Sequence, residues 1–282
     1  MKNLVFVLIT ITLFSCKKAI TVEPPLPSET LTDISYGTDP AQKMDVYLPA
    51  GRSSDSTKLM TLVHGGGWNA GDKSDFTPNL SSLRLKFPNY AIANINYRLA
   101  TVTSNHFPAQ ENDMKAAVDF LVEKSGDYHI AQKIVLVGAS AGAHMAMLQA
   151  YKYSSPKIKA VVDFFGPTDM ADLHNFYRPG SVNQNAIQIL MNGSPNANSV
   201  LYEKSSSINY VTSQSSPTII FHGTMDHVVP IAESISLSNK LSGIGVANEL
   251  IPYPNVGHEV WPLPTMTEAF TKIDSFLKAN VK

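Results

Sequence analysis

A serine, a histidine and an aspartate can together attack a carbonyl carbon, and this chain carries one of each at the right kind of place. Ser140 stands in Gly138-Ala139-Ser140-Ala141-Gly142, between an apolar run at 133–138 and a helical pattern at 142–153. A strand–turn–helix context with small residues on both sides is what lifts a serine clear of the chain as a nucleophile. A glycine-rich strand-to-helix turn without chemistry has the same composition. A helix starting directly after the serine aims N–H groups and its positive dipole end at the side chain, which favours negative charge developing there.

A hydroxyl is a poor nucleophile at neutral pH. It needs a base to take its proton and a carboxylate to orient that base. The segment IIFHGTMDHVVP, residues 219–230, leaves an apolar run and presents Asp226; NVGH, residues 255–258, places His258 before the last helical pattern. Asp169 in GPTD is the alternative acid. His222, at a strand end, reads as structural. His144, one turn after the serine, reads as a packing or hydrogen-bonding residue beneath the site. His227, adjacent to Asp226, is in the wrong place for the base and is a candidate substrate contact with Trp68 and Trp261.

Acyl transfer also needs backbone N–H donors for the oxyanion, and loss of one costs ~10²–10³-fold in rate. His64-Gly65-Gly66-Gly67-Trp68 follows another apolar run. Glycine allows close backbone approach, so the expected donors are the N–H groups of Gly66, Gly67 and Ala141. Residues 66–74, GGWNAGDKS, nearly spell a phosphate-binding loop. Asp72 breaks its spacing and sets an anion where phosphates would lie. The eight His are scattered, no H-E-x-x-H occurs and the chain has a single Cys, so neither a metal nor a cofactor is expected.

These residues need a scaffold. Apolar runs at 44–49, 58–67, 90–99, 133–138, 158–166, 216–223 and 248–254 alternate with helical patterns at 111–128, 142–153, 232–245 and 265–281. Such alternation predicts an α/β fold with a mostly parallel sheet of about eight strands and helices on both faces. Sites in these sheets form at the carboxyl ends of the strands. The polar stretch 170–215 interrupts the rhythm and reads either as a cap over the strand ends or as a surface connection. With 282 residues, 44% of them hydrophobic, the chain can build a sizeable core. A formal net charge of −1 without a basic block argues against nucleic acid as a partner.

The N-terminus reads as an export signal. A short basic start precedes an apolar segment at 4–14, too short to span a bilayer comfortably. Leu13-Phe14-Ser15-Cys16 resembles a bacterial lipobox. The expectation is a signal peptide at 1–15, lipidation at Cys16, a Pro-rich tether at 16–33 and a folded domain at 34–282, held at the cell-envelope membrane by the lipid.

With HGGGW, GASAG, HGTMD and VGH in this order, the chain resembles the α/β-hydrolases of the carboxylesterase type, in particular the hormone-sensitive-lipase-like and bacterial BD-FAE-like esterases. Residues 96–100, NYRLA, and 107–121 also look like family segments that support the site. The likeness runs over roughly residues 36–277; VGHEVWP, residues 256–262, departs from the G-H-G-F form of many lipase-like relatives. The resemblance implies hydrolysis of short-chain or carbohydrate-linked acyl esters by Ser140, His258 and Asp226, with no cofactor. Two other readings stand beside it: an amide or peptide hydrolase on the same three residues, and an inactive ligand-binding envelope lipoprotein.

Overall fold

The computed structural model describes residues 24–258 and 263–282, with side chains described from residue 265 in the second segment. The signal segment, Cys16 and Trp261 lie outside the described residues. Eight strands form one sheet: β1 (Glu29–Ser35), β2 (Lys43–Leu48), β3 (Lys58–Val63), β4 (Tyr90–Ile95), β5 (Ile134–Ala139), β6 (Ala160–Phe164), β7 (Thr218–Gly223) and β8 (Asn248–Tyr253). Their spatial order is β1-β2-β4-β3-β5-β6-β7-β8. The strands from β4 to β8 run parallel, while β1 and β2 complete one edge antiparallel. The central strands are buried along nearly their whole length. Helices cover both of their faces, which is why they read as continuous apolar runs.

Helices α1 (Thr77–Lys86) and α8 (Leu263–Asn280) pack on one face of the sheet. Helices α2 (Ala109–Glu123), α3 (Ala141–Lys152) and α7 (Ala232–Gly243) pack on the other. The chain therefore leaves β3 toward one face and β5 toward the opposite face. The crevice this opens at the carboxyl ends of two neighbouring strands is where α/β sheets place their ligands. The HGGGW loop follows β3 and Ser140 follows β5, so both meet there.

Residues 170–215 are mostly helical: α4 (Met170–Phe176), α5 (Val182–Met191), α6 (Ser199–Ser205) and a 3₁₀ turn, Ser207–Tyr210. Leu173, Ile187, Leu190 and Tyr202 bury against the α2/α3 face. The Phe107 N–H donates to the Leu190 carbonyl at 2.8 Å, tying α5 to the loop before α2. The tether expectation is corrected at its end. Residues 29–33 belong to β1, which pairs with β2 over Glu29↔Leu48 to Ser35↔Lys43. The early edge strand expected at 44–49 is thus the second strand in, with β1 outside it.

Candidate active site

The turn between β5 and α3 holds Ser140 at φ 54° and ψ −121°, a backbone region that costs a non-glycine residue ~1–3 kcal/mol and is usually retained for function. Its tightness is enforced by neighbours. A Cβ on Gly142 would lie 2.1 Å from the Val63 carbonyl oxygen at the end of β3, so α3 can start there only with glycine. The Ser140 N–H is fixed on the Phe164 carbonyl at 2.9 Å, and the hydroxyl stays available at the start of the helix.

Loops from β7 and β8 bring two partners to that hydroxyl. His258 Nε2 lies 2.9 Å from Ser140 Oγ, and His258 Nδ1 lies 2.7 Å from Asp226 Oδ2. A carboxylate only accepts, so Nδ1 carries the proton and Nε2 is free to accept from the serine. Phe165 packs edge-on against the His258 ring with centroids 4.6 Å apart. The Asp226 side chain is fully buried. Burial alone would raise its pKa. Hydrogen bonds from His222 and His258 outweigh that, together with the field of His258 and the Val229 N–H, and hold the carboxyl well below the usual range. The other oxygen, Oδ1, accepts from the Val228 and Val229 N–H groups, each at 2.8 Å. The group is therefore an anion with a fixed orientation.

The sequence reading missed the part played by His222. Its Nε2 sits 2.9 Å from the Val229 carbonyl and 3.3 Å from Asp226 Oδ2, while Nδ1 sits 2.7 Å from Ser234 Oγ. Both Nε2 neighbours are acceptors, so Nε2–H donates and Nδ1 accepts the serine hydroxyl. The available signal was its position four residues before Asp226 at a strand end. Asp169, the alternative acid, caps α4, accepting from the Ala171 and Asp172 N–H groups at 2.9 and 3.1 Å. It does not join the Ser140–His258 chain.

The HGGGW loop faces the turn. A Cβ on Gly65 would lie 3.3 Å from that of Ser140. Gly66 has φ +102°, and a side chain there would meet the Ala70 carbonyl at 2.2 Å. Among the described residues, the Gly66, Gly67 and Ala141 N–H groups donate to no protein acceptor. This leaves them available for an oxyanion. His64 stacks on Tyr97 at 4.3 Å, and the Tyr97 hydroxyl donates to the His64 carbonyl at 3.1 Å. Behind them, Arg98 grips the buried Asp113, with Nη2 to Oδ1 at 2.6 Å. Lys73, the would-be phosphate lysine, is paired with Asp45 at 2.8 Å and Asp33 at 3.1 Å, and Asp72 caps the turn Lys73–Phe76. The loop is built as a support for backbone donors and holds no phosphate cradle.

Trp68 lines the cavity, and its indole N–H donates to His144 Nδ1 at 3.1 Å. His144 Nε2 then donates to the Ser205 carbonyl at 2.7 Å. His144 is a neutral bridge between the HGGGW loop and the 170–215 insertion. Burial pushes its pKa down to about 4. His227, expected as a substrate contact, is exposed and does not line this cavity, while its neighbour Asp226 is buried. No cluster of His, Cys, Asp and Glu able to hold a metal occurs among the described residues.

Ser140 and His258 open onto a cavity of about 1010 Å³. Leu173, Tyr177, Val182, Ala186 and Ile187 of the insertion form part of its wall. The arrangement can deprotonate a hydroxyl, stabilise the resulting imidazolium and receive an oxyanion in an apolar enclosure.

A model of the BD-FAE family matches residues 44–241. A probable isoprenylcysteine alpha-carbonyl methylesterase of Arabidopsis thaliana is 24% identical, the match covering 80% of this chain and 50% of the relative. A kynurenine formamidase of Danio rerio is 29% identical over 161 residues, covering 53% of this chain and 50% of the relative. The chain thus spans about half the length of the curated relatives it matches. Among solved structures, a bifunctional GH43-CE protein of Bacteroides eggerthii superposes with a TM-score of 0.74 at 28% identity, over 86% of this chain and 38% of that one. A truncated carbohydrate esterase from gut microbiota gives 0.74 at 24% identity, over 88% and 97%.

Proposed function

The chain is an α/β-hydrolase of the BD-FAE family, and from that premise we propose that it is a serine hydrolase of carboxylic esters. The single observation that carries the reading is the continuous chain from Ser140 Oγ through His258 to a buried, ionised Asp226, at 2.9 and 2.7 Å. As Ser140 attacks the ester carbonyl, its proton passes to His258 Nε2. Asp226 keeps the proton on Nδ1 and stabilises the imidazolium without being protonated itself. The carbonyl oxygen takes up negative charge against the N–H groups of Gly66, Gly67 and Ala141. The C–O bond to the alcohol breaks as His258 returns the proton to the leaving oxygen. Water, deprotonated by the same nitrogen, then attacks the acyl-serine and releases the acid.

The proposed substrates are short-chain or carbohydrate-linked acyl esters, a reading favoured by similarity to the bifunctional GH43-CE protein and the gut carbohydrate esterase. The formamidase relative supports a second reading, an amide hydrolase on the same residues. Hydrolysis of p-nitrophenyl acetate by the native chain and its loss in Ser140→Ala test the serine mechanism. Parallel assays on acetylated xylan and on an N-formyl arylamine decide between ester and amide. Greater kcat/KM on the formamide would overturn the ester reading.

The same proposal includes export and lipid attachment at Cys16, with the domain held at the membrane of the cell envelope. Radioactive fatty acid should label the native chain and not Cys16→Ala. Label that survives the substitution refutes attachment at that residue.

A further inference from the structure

We propose that the cavity contains a dedicated acyl arm, an apolar cleft between the sheet and helices α1 and α8 that takes an unbranched aliphatic chain of medium length. The inference rests on Ser140 being the residue that carries the acyl group, and it narrows the proposed substrates to esters whose acyl chain is of medium length, in place of the short-chain ones. Six apolar side chains wall this arm: Met60, Val137 and Phe164 from one face of the sheet, Leu83 from α1, and Phe270 and Ile273 from α8. All are buried, yet each borders the cavity.

The register gives the depth. Leu62 pairs with Val137 and Met60 with Val135. Val137 lies three residues below Ser140 and the Met60 level five, or about 10 to 17 Å at ~3.3 Å per residue. Helix α8 gives a matching figure. Met266, Phe270 and Ile273 line the cavity at helical spacing, and a seven-residue run descends about 10 Å. The polar lining residues on this side, Ser74, Asp75 and Asn79, stand before and in the first turn of α1. Since α1 starts at the strand ends, they belong to the mouth, and Leu83 lies deeper.

The arm's chemistry decides which end of an ester it takes. Its six walls offer no hydrogen-bonding side chain, so a sugar hydroxyl placed there would give up water and gain nothing. The other side of the cavity, toward α5, is mixed: Asn183, Asn185 and Tyr177 stand there among Leu173, Val182 and Ile187, so hydroxyl partners for an alcohol group occur on that side and not in the arm. A leaving alcohol must also depart before water enters, whereas an acyl chain remains attached to Ser140 through that step. An apolar arm beside Ser140 therefore fits the acyl group.

The test uses the full chain and p-nitrophenyl esters from acetate to decanoate. Each methylene buried in the arm should raise kcat/KM by up to about 4-fold, the equivalent of ~0.8 kcal/mol, with the rise ending at octanoate to decanoate. Leu83→Trp and Ile273→Trp narrow the arm from opposite helices. Each should lower the octanoate-to-acetate ratio of kcat/KM by at least about 10-fold, a ratio that cancels any change in the folded fraction. Hydrolysis of acetate with a flat or falling profile overturns the arm alone, as does an unchanged ratio in both variants. No hydrolysis of any ester overturns the hydrolase reading, and the arm with it.

Discussion

His144 makes a sharp thermodynamic test of how the candidate site is assembled. Trp68 donates to its Nδ1 and it donates from Nε2 to Ser205, an arrangement that only the neutral ring can make. Burial lowers its pKa from 6.5 to about 4. Between those values the unfolded chain holds a proton at this residue and the folded chain does not, so stability rises with pH across the window and is lost on acidification. With a pKa of 6.5 unfolded and about 4 folded, the step from pH 7 to pH 5 removes about 2 kcal/mol. Other groups titrate in the same range. Asp163, buried and pushed up to about 7, contributes with the opposite sign, because there the folded state holds the extra proton. A difference against a variant removes these shared contributions. His144→Gln keeps a donor and an acceptor but no titration. Urea unfolding of both proteins at pH 7 and pH 5 should show the native chain losing about 2 kcal/mol more than His144→Gln. Equal losses, or a larger loss in the variant, would refute the neutral bridge.

Two further substitutions test the geometry around Ser140. Asp226→Asn should cut kcat by about 10⁴-fold, since an amide cannot hold His258 in the tautomer that accepts from serine. Asp169→Asn should change kcat far less, because an asparagine still caps α4; the reverse order of effects would move the acid to Asp169. Gly66→Ala forces a side chain into the Ala70 carbonyl at a positive φ and should cost ~10²-fold or more in kcat by misaligning an oxyanion donor. Circular dichroism checks that the fold survives, and a folded variant with native kcat would remove the Gly66 N–H from the mechanism.

What could be read from the residues alone follows from how local each signal is. GASAG and HGGGW declare themselves because tight turns and close backbone approach constrain consecutive residues, and the central strands do so because burial on both faces leaves an unbroken apolar run. Strand β1 left no such trace. It follows a Pro-rich stretch and is mostly exposed, so only its backbone pairing with β2 defines it. The amphipathic helix α5 was masked by its asparagines and glutamines, although Ile187, Leu190 and Met191 bury its inner face. His144 and His222 were legible as residues but not as connections. Three of their partners, Trp68, Ser205 and Ser234, come from separate elements that only the folded sheet brings together. His227 shows the converse: adjacency in sequence to Asp226 carries no information about which way a loop side chain turns.

Acylation of Ser140 is the step on which the proposed reaction turns. Incubating the native chain with a p-nitrophenyl alkylphosphonate, which forms a stable bond to an activated serine hydroxyl, tests it by peptide mass analysis. One adduct per chain is expected, on the peptide containing Ser140, with activity falling in proportion to labelling. An adduct on another residue, or full inactivation with Ser140 unmodified, would contradict it.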